Sequence, residues 1–327
     1  MDLVTIAVAV YNGAPYIKRC LDSVLSQDYR NIDVIIVDDG STDNSLDIIK
    51  EYCNKDSRFR YISHHKNLGL PVARNTGIKA AKGNYISMID IDDYLEKNYI
   101  CTLLDALKRN NVQLCACHHI THWVSNPSKI KYFQENNIER LINSSDFDYL
   151  DETLPYTVWS LLIKKELLDG IEFDADLLVG QDTPFIAQVI KKAGKFLVLN
   201  RNLYHYFIYA ESSCHGIFKR DKITALKSWK RTINTYNDLP QVQLTVKAKY
   251  ATQCLIFIRK YFFNMGVSHK IYKMVLKEYR NYIKYMIFYA IKKPGTTTIC
   301  NALFCVVFAM FPFLYPKYYL LRYHEKS

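Results

Sequence analysis

A chain of 327 residues with 49% hydrophobic and 23% charged content can bury a full core, which excludes a disordered protein and leaves room for one large domain plus an appendage. The net charge of +11 is unevenly placed: Gly216 to Ser327 carries 20 Lys and Arg against 4 Asp and Glu, net +16, whereas the preceding 215 residues are net −5. Nine cysteines, an odd number with no CxxC pair, argue for reduced thiols and against a disulfide or zinc framework.

Met1-Asp2-Leu3 runs into the apolar stretch 4–10 without a basic n-region, so no cleavable leader is expected and the protein is placed in the cytoplasm. The β-branched run 4–10 predicts a first strand; Pro15 then stands where a helix can begin, and Ile17, Leu21, Val24 and Leu25 recur at helical spacing. Residues 32–37 predict a second strand, ended by the turn and capping residues Asp38-Asp39-Gly40-Ser41-Thr42-Asp43, with a helix marked by Leu46, Ile48 and Ile49. A short strand at 59–63 follows. Leu70-Pro71 opens a third helix to about Ala81, and Gly83 releases the chain into a strand at 85–89. Four strands separated by helices predict a parallel sheet. Beyond it the pattern predicts a helix at 103–110, a strand at 112–116, shorter strands at 161–163, 196–199 and 203–207, a helix at 183–192, and helices throughout the basic region after about Gly216. The charge shift alone divides the chain into 1–215 and 216–327.

Apolar and aromatic residues interleave with the basic charge at 256–263 and 282–289, a pattern of basic amphipathic helices. Such helices lie on anionic lipid or pack on the protein with their basic face in water. The apolar stretch 299–315, broken by Asn301 and Pro312, reads as interfacial or re-entrant and not as a spanning helix.

Chemistry concentrates in Asp90-Ile91-Asp92-Asp93, just beyond the fourth strand. Asp90 and Asp92 share a face if the backbone stays extended, and like charges so close are costly unless a cation sits among them. A divalent metal carrying a phosphorylated substrate is the simplest resident. Tyr11-Asn12-Gly13 follows the first strand and Asp38-Asp39-Gly40-Ser41 the second, so three polar loops converge on the rim where open parallel sheets bind ligands. Neither GxGxxG nor GxxxxGK occurs, so a nucleotide would be held through metal and carboxylates. His118, His119 and His122 follow a strand without a carboxylate partner and read as a loop or an acceptor-side surface.

Val8-Ala9-Val10-Tyr11-Asn12, Val37-Asp38-Asp39-Gly40-Ser41-Thr42-Asp43, Asn67-Leu68-Gly69 with Ala73-Arg74-Asn75-Thr76-Gly77, and Ile89-Asp90-Ile91-Asp92-Asp93 together resemble glycosyltransferase family 2. These are inverting, nucleotide-sugar-dependent enzymes of the GT-A fold. The resemblance is dense from Val4 to about Tyr99 and thinner from Tyr156 to Ser213. It implies an α/β, Rossmann-like, mostly parallel sheet flanked by helices, here with a basic helical C-terminal module. It also implies that Tyr11 and Asp39 contact uracil and ribose with Asn12 beside them. Arg74 would approach the base or diphosphate, Asp90 would reach the ribose or sugar, and Asp92 would bind Mn2+ or Mg2+. Asp93 either belongs to this set or caps a helix starting near Leu95. Asp182, in Gly180-Gln181-Asp182-Thr183-Pro184-Phe185, resembles the family's catalytic base, with Gln181 where the family has an acid; the alternative is an N-cap on a helix beginning at Thr183. Trp159 resembles an acceptor-side tryptophan or is a core residue. His205 and His215 flank a segment that in the family closes over the diphosphate, with His215 preferred as a metal ligand.

The resemblance implies transfer of one hexose or N-acetylhexosamine from a UDP-sugar to a lipid-linked glycan at an anionic membrane surface, on the cytoplasmic face, in bacterial capsule or O-antigen assembly. A sugar nucleotidyltransferase and a non-catalytic membrane-associated protein of the same fold are the alternatives. The QxxRW segment of processive synthases is absent, and no nucleic-acid-binding module is recognisable.

Overall fold

The computed structural model describes residues 2–136, 138–155, 157–209, 223–262, 267–293, 303 and 306–310. Strands β1 (Val4–Val10), β2 (Ile32–Asp38), β3 (Phe59–Ser63) and β4 (Tyr85–Asp90) alternate with helices α1 (Ile17–Leu25), α2 (Ser45–Lys55) and α3 (Leu70–Ala80). Next come β5 (Tyr94–Leu95), α4 (Tyr99–Arg109), β6 (Leu114–Trp123), β7 (Ile130–Lys131), β8 (Glu139–Asn143), β9 (Leu161–Lys164), α5 (Asp182–Ala193) and β10 (Lys195–Ile208). Helices α6 (Thr224–Thr235), α7 (Pro240–Phe262) and α8 (His269–Lys292) follow.

The strands form one ten-stranded sheet in the order β3-β2-β1-β4-β9-β6-β10-β5, with β7 on β6 and β8 on β10. β1 lies parallel between β2 and β4, Val4 facing Ile32 on one side and Tyr85 on the other, and β3 continues parallel on β2. All seven residues of β2 are buried, as a strand covered on both faces requires. α1 covers the sheet with Ile17, Cys20, Leu21 and Val24, one stripe at helical spacing. Each such aliphatic side chain contributes about 1.5–3 kcal/mol when fully buried. The second half of the sheet is mixed: β9 runs antiparallel to both β4 and β6, whereas β6 and β10 are parallel.

Four expectations need correction. The strand expected at 112–116 runs from Leu114 to Trp123, so His118, His119 and His122 are strand residues and not a loop. The two strands expected at 196–199 and 203–207 are one, β10, whose register against β6 shifts between Leu199, Asn202 and Tyr204; a bulge absorbs the polar Asn200-Arg201-Asn202 that had looked like a break. No helix starts near Leu95: Tyr94–Leu95 pairs as β5 with β10, and α4 starts at Tyr99. α5 includes Asp182 as its first residue, with Gln181 at the N-cap position.

Contacts divide the chain into two compact units, Met1–Ser144 with Thr153–His215, and Ser145–Glu152 with Gly216–Ser327. In the second, Tyr149 meets Trp229 and Tyr236 edge-on, and buried Asp148 accepts hydrogen bonds from Tyr289 Oη at 2.9 Å and Lys293 Nζ at 2.6 Å. α8 buries Val275, Tyr279, Met286 and Ala290. Among the described residues no helix is long and apolar enough to cross a membrane, and the six cysteines are free thiols. Most of 299–315 lies outside the described residues.

Candidate active site

The site begins where β1 and β2 end side by side. Asn12 takes a left-handed conformation, φ 50°, which asparagine tolerates better than most residues. Its backbone N–H donates to Ser41 Oγ at 3.0 Å and its Oδ1 accepts from Thr42 N at 2.8 Å, so Asn12 staples the first loop to the second. Tyr11 is left 47% exposed on the rim. Gly40 has φ +72°, and a Cβ there would meet the Lys66 carbonyl carbon at 2.5 Å, so only glycine fits this close approach. Next to it Asp39 is buried: it accepts from Leu68 N at 3.0 Å and Gly69 N at 2.8 Å and pairs with His64 Nδ1 at 2.7 Å. Asp39 therefore organises the 67–69 loop at the start of α3, and a ligand can reach only its remaining lone pair.

That loop launches α3, which carries Arg74 into the interior beneath the third loop. Arg74 Nη2 is 2.6 Å from Asp90 Oδ1 at the end of β4, and Nη1 is 2.5 Å from Asp182 Oδ1 at the start of α5. The two carboxylates hold the guanidinium firmly protonated despite its burial. Burial raises the Asp182 carboxyl above the usual range and Arg74 opposes that rise. Asp182 keeps 27% of its side chain exposed and is itself the first residue of α5, the N-cap position being held by Gln181, so it is not the N-cap.

Asp92 lies past the end of β4. Burial first, and then the charge of Asp90, push its carboxyl up to about 6. The part of this rise that comes from Asp90 is one a cation between the two carboxylates would relieve. Asp93 is fully buried and caps no helix: it accepts from Tyr204 Oη at 2.7 Å and Phe207 N at 2.9 Å, tying the acidic turn to β10. Burial and its two acidic neighbours raise its carboxyl far above the ordinary range. Tyr204 Oη also accepts from Asp90 N at 3.2 Å.

Arg19, Tyr204 and His64 carry no motif, and reading the sequence missed them as part of this arrangement. Arg19 projects from α1, hydrogen-bonds the Asp92 carbonyl oxygen and Tyr209 Oη, and lies 3.7 Å over the Phe207 ring. A lone arginine on an amphipathic helix gives no local signal of such a role.

The remaining candidates fall elsewhere. Trp159 is only 6% exposed, stacked on Tyr204 at 4.3 Å and Tyr206 at 5.4 Å with His119 edge-on at 4.9 Å. His205 has both ring nitrogens engaged, with Glu96 Oε1 at 2.7 Å and His122 Nε2 at 2.9 Å, and Tyr94 stacks on it at 4.0 Å. His118 stacks on Phe133 at 4.0 Å. His215 lies outside the described residues. Among the described residues no three His, Cys, Asp or Glu side chains are grouped to hold a metal by themselves.

The family model described as Glycosyl transferase family 2 matches residues 5–168, half of the chain. Glycosyltransferase GlyA of Streptococcus pneumoniae serotype 4 is 34% identical over 217 residues, which cover 63% of this chain and 31% of GlyA. An uncharacterized glycosyltransferase of Bacillus subtilis, EpsJ, is 33% identical over 211 residues, covering 63% of this chain and 61% of EpsJ. The chain thus spans less than two thirds of either relative. The crystal structure of S. aureus TarS 1-349 in complex with UDP-GlcNAc matches with a TM-score of 0.70 at 19% identity, over 87% of this chain and 81% of that one; the complex with UDP gives 0.67 at 20% identity over the same shares. At such identities the likeness shows the fold, a GT-A-like mixed sheet flanked by helices with helices after it. With the family motifs standing at the carboxyl ends of β1, β2 and β4, this chain belongs to glycosyltransferase family 2.

Proposed function

We propose that the enzyme moves one hexose or N-acetylhexosamine from a UDP-sugar to a hydroxyl of a lipid-linked glycan, with inversion, in the assembly of a bacterial surface polysaccharide such as a capsule or O-antigen. The carrying observation is that Arg74 gathers Asp90 and Asp182, from two distant segments, beside the turn that bears Asp92. The choice of uridine is supported by TarS, crystallised with UDP and UDP-GlcNAc.

In this reading the exposed Tyr11 ring receives the uracil, Asn12 and Asp39 form the walls beside it, and Asp90 reaches the ribose or the sugar. Arg74 lies under the diphosphate. Asp182 accepts the acceptor hydroxyl proton on its free carboxylate oxygen while the hydroxyl oxygen attacks the anomeric carbon opposite the departing UDP, which inverts that centre. Trp159 supports the acceptor side from within the core. Asp92, and His215 outside the described residues, would hold Mn2+ or Mg2+. The donor set fits: hard cations at phosphate sites are commonly held by one or two carboxylates with phosphate oxygens and water, and Asp92 stands just past the end of β4 with the Asp90 carboxylate close enough to raise it. When bound, the ion would neutralise charge growing on the leaving diphosphate. Residues 1–215 act as the catalytic domain and 216–327 as a membrane-associating module, at the anionic cytoplasmic face of the cell membrane where lipid-linked acceptors are found.

A donor screen tests this. The protein and Mn2+ are incubated with a panel of nucleotide sugars, and release of nucleoside diphosphate is followed. UDP release from one or a few UDP-sugars is expected. Turnover confined to guanosine- or thymidine-based donors would overturn the uridine assignment.

A further inference from the structure

α8 is a 24-residue helix with six Lys and Arg and one Glu. Its buried stripe, Val275, Tyr279, Met286 and Ala290, accounts for one side. The opposite side, at the helical spacing of residues 273, 274, 277, 284, 287, 288 and 291, with Arg280 beside them donating to the Ala309 carbonyl oxygen at 3.0 Å, combines two chemistries that rarely share a water-facing surface. Lys273, Lys277 and Lys284 have no carboxylate partner among the described residues, while Glu278 is turned toward Lys230 Nζ at 3.0 Å and Tyr250 Oη at 3.2 Å. Among these cations Ile291 is 69% exposed, Phe288 51%, Met274 44% and Ile287 38%. A merely solvated basic face needs no Phe288 or Ile291, and a protein–protein core would be depleted of lysine. Long cationic side chains around a row of large apolar ones match a headgroup layer over acyl chains.

We propose that this face of α8 docks on an anionic lipid bilayer, the helix lying in the interface plane with Ile287, Phe288 and Ile291 inserted and Lys273, Lys277 and Lys284 on lipid phosphates. The net +16 of residues 216–327 supplies the matching long-range attraction. Six cations in 24 residues exclude a span, so the contact is peripheral. The proposal rests on the lipid-linked acceptor reading only for its purpose, because vesicle binding is measured without donor or acceptor.

The test is co-sedimentation of the full chain with vesicles of mixed phosphatidylglycerol and phosphatidylcholine, and of phosphatidylcholine alone. Two variants are compared, Lys273→Glu/Lys277→Glu/Lys284→Glu and Phe288→Ser/Ile291→Ser. Thermal melting and UDP binding verify that each is folded. Wild type is expected to pellet with the anionic vesicles, less so as salt rises; each variant should partition at least about tenfold less, and the charge variant should lose most of its salt dependence. Unchanged pelleting by both folded variants overturns the proposal, as does pelleting lost only when the chain is cut at Ile299. A wild-type dimer that both variants dissociate, with no form binding vesicles, would give the face to a second copy of the chain instead.

Discussion

The guanidinium of Arg74 binds the carboxylate of Asp182 at 2.5 Å, across a sequence separation of 108 residues, while its second nitrogen binds Asp90. One buried cation therefore joins the proposed base to the acidic turn. Arg74→Ala leaves both carboxylates unpaired and is expected to destabilise the protein by about 2–4 kcal/mol, measured by chemical denaturation. Arg74→Lys should rescue only part, because a point charge cannot bridge two carboxylates as a planar fork does.

Catalysis offers a finer reading of the same pair. Burial raises the Asp182 carboxyl and Arg74 holds it down. A base must be ionised to act, so the acidic limb of the rate profile should move to higher pH in Arg74→Lys if its looser contact weakens that restraint. An acidic limb unchanged in a folded, active variant would detach Arg74 from the titration of the base.

Asp182→Asn keeps the hydrogen-bond geometry and removes the proton acceptor. Transfer is expected to fall by about 10²–10⁴-fold with UDP binding retained. Asp92→Asn should instead abolish metal-dependent donor binding, read by calorimetry with UDP and Mn2+. Wild-type transfer from the Asp182 variant would remove that residue from the mechanism.

Asp93 serves the site from beneath. Asp93→Ala strands Tyr204 Oη and Phe207 N without an acceptor, and a loss of about 2–4 kcal/mol is expected by denaturant titration. Asp93→Asn keeps one of the two acceptor oxygens and sheds a charge that burial, Asp92 and Asp90 all oppose, so its cost should be smaller than that of Asp93→Ala, with one donor left to find a new partner.

His119, surrounded by Trp159, Tyr206 and Phe133, is pushed down to about 4, first by burial. Its unfolded value is about 6.5, so the unfolded chain binds the extra proton between these limits and stability falls as pH drops through that window. Wild type should lose about 2 kcal/mol more than His119→Gln between pH 7 and pH 5, and equal losses in denaturation would refute this.

Local pattern carried the first half of the fold. In β1, β2 and β4 the apolar runs are buried on both faces, and a strand of that kind announces itself in the sequence without help from its neighbours. The acidic turn was visible for a related reason: three carboxylates in four residues are unusual wherever they occur. Less was visible where partners decide. Asp93 looked like a helix cap because capping is a local habit, yet Tyr204, 111 residues later, claims its carboxylate. Asn200-Arg201-Asn202 looked like a break because a bulge depends on the facing strand β6. Arg19 gave no sign at all.

The amino-acid sequence by itself determined the parallel half of the sheet, the three loops at its carboxyl ends, the family, and the basic character of the last third, because these rest on side-chain periodicity, turn chemistry and composition. Only the tertiary structure decided which acids share Arg74, that Asp39 braces a loop, that Trp159 and the histidines of β6 lie within an aromatic layer, and that α8 turns Lys273, Lys277, Lys284 and Phe288 toward solvent. The physical reason is common to all four: a buried charge or ring is placed by the partners that satisfy it, and those partners come from segments that only folding brings together.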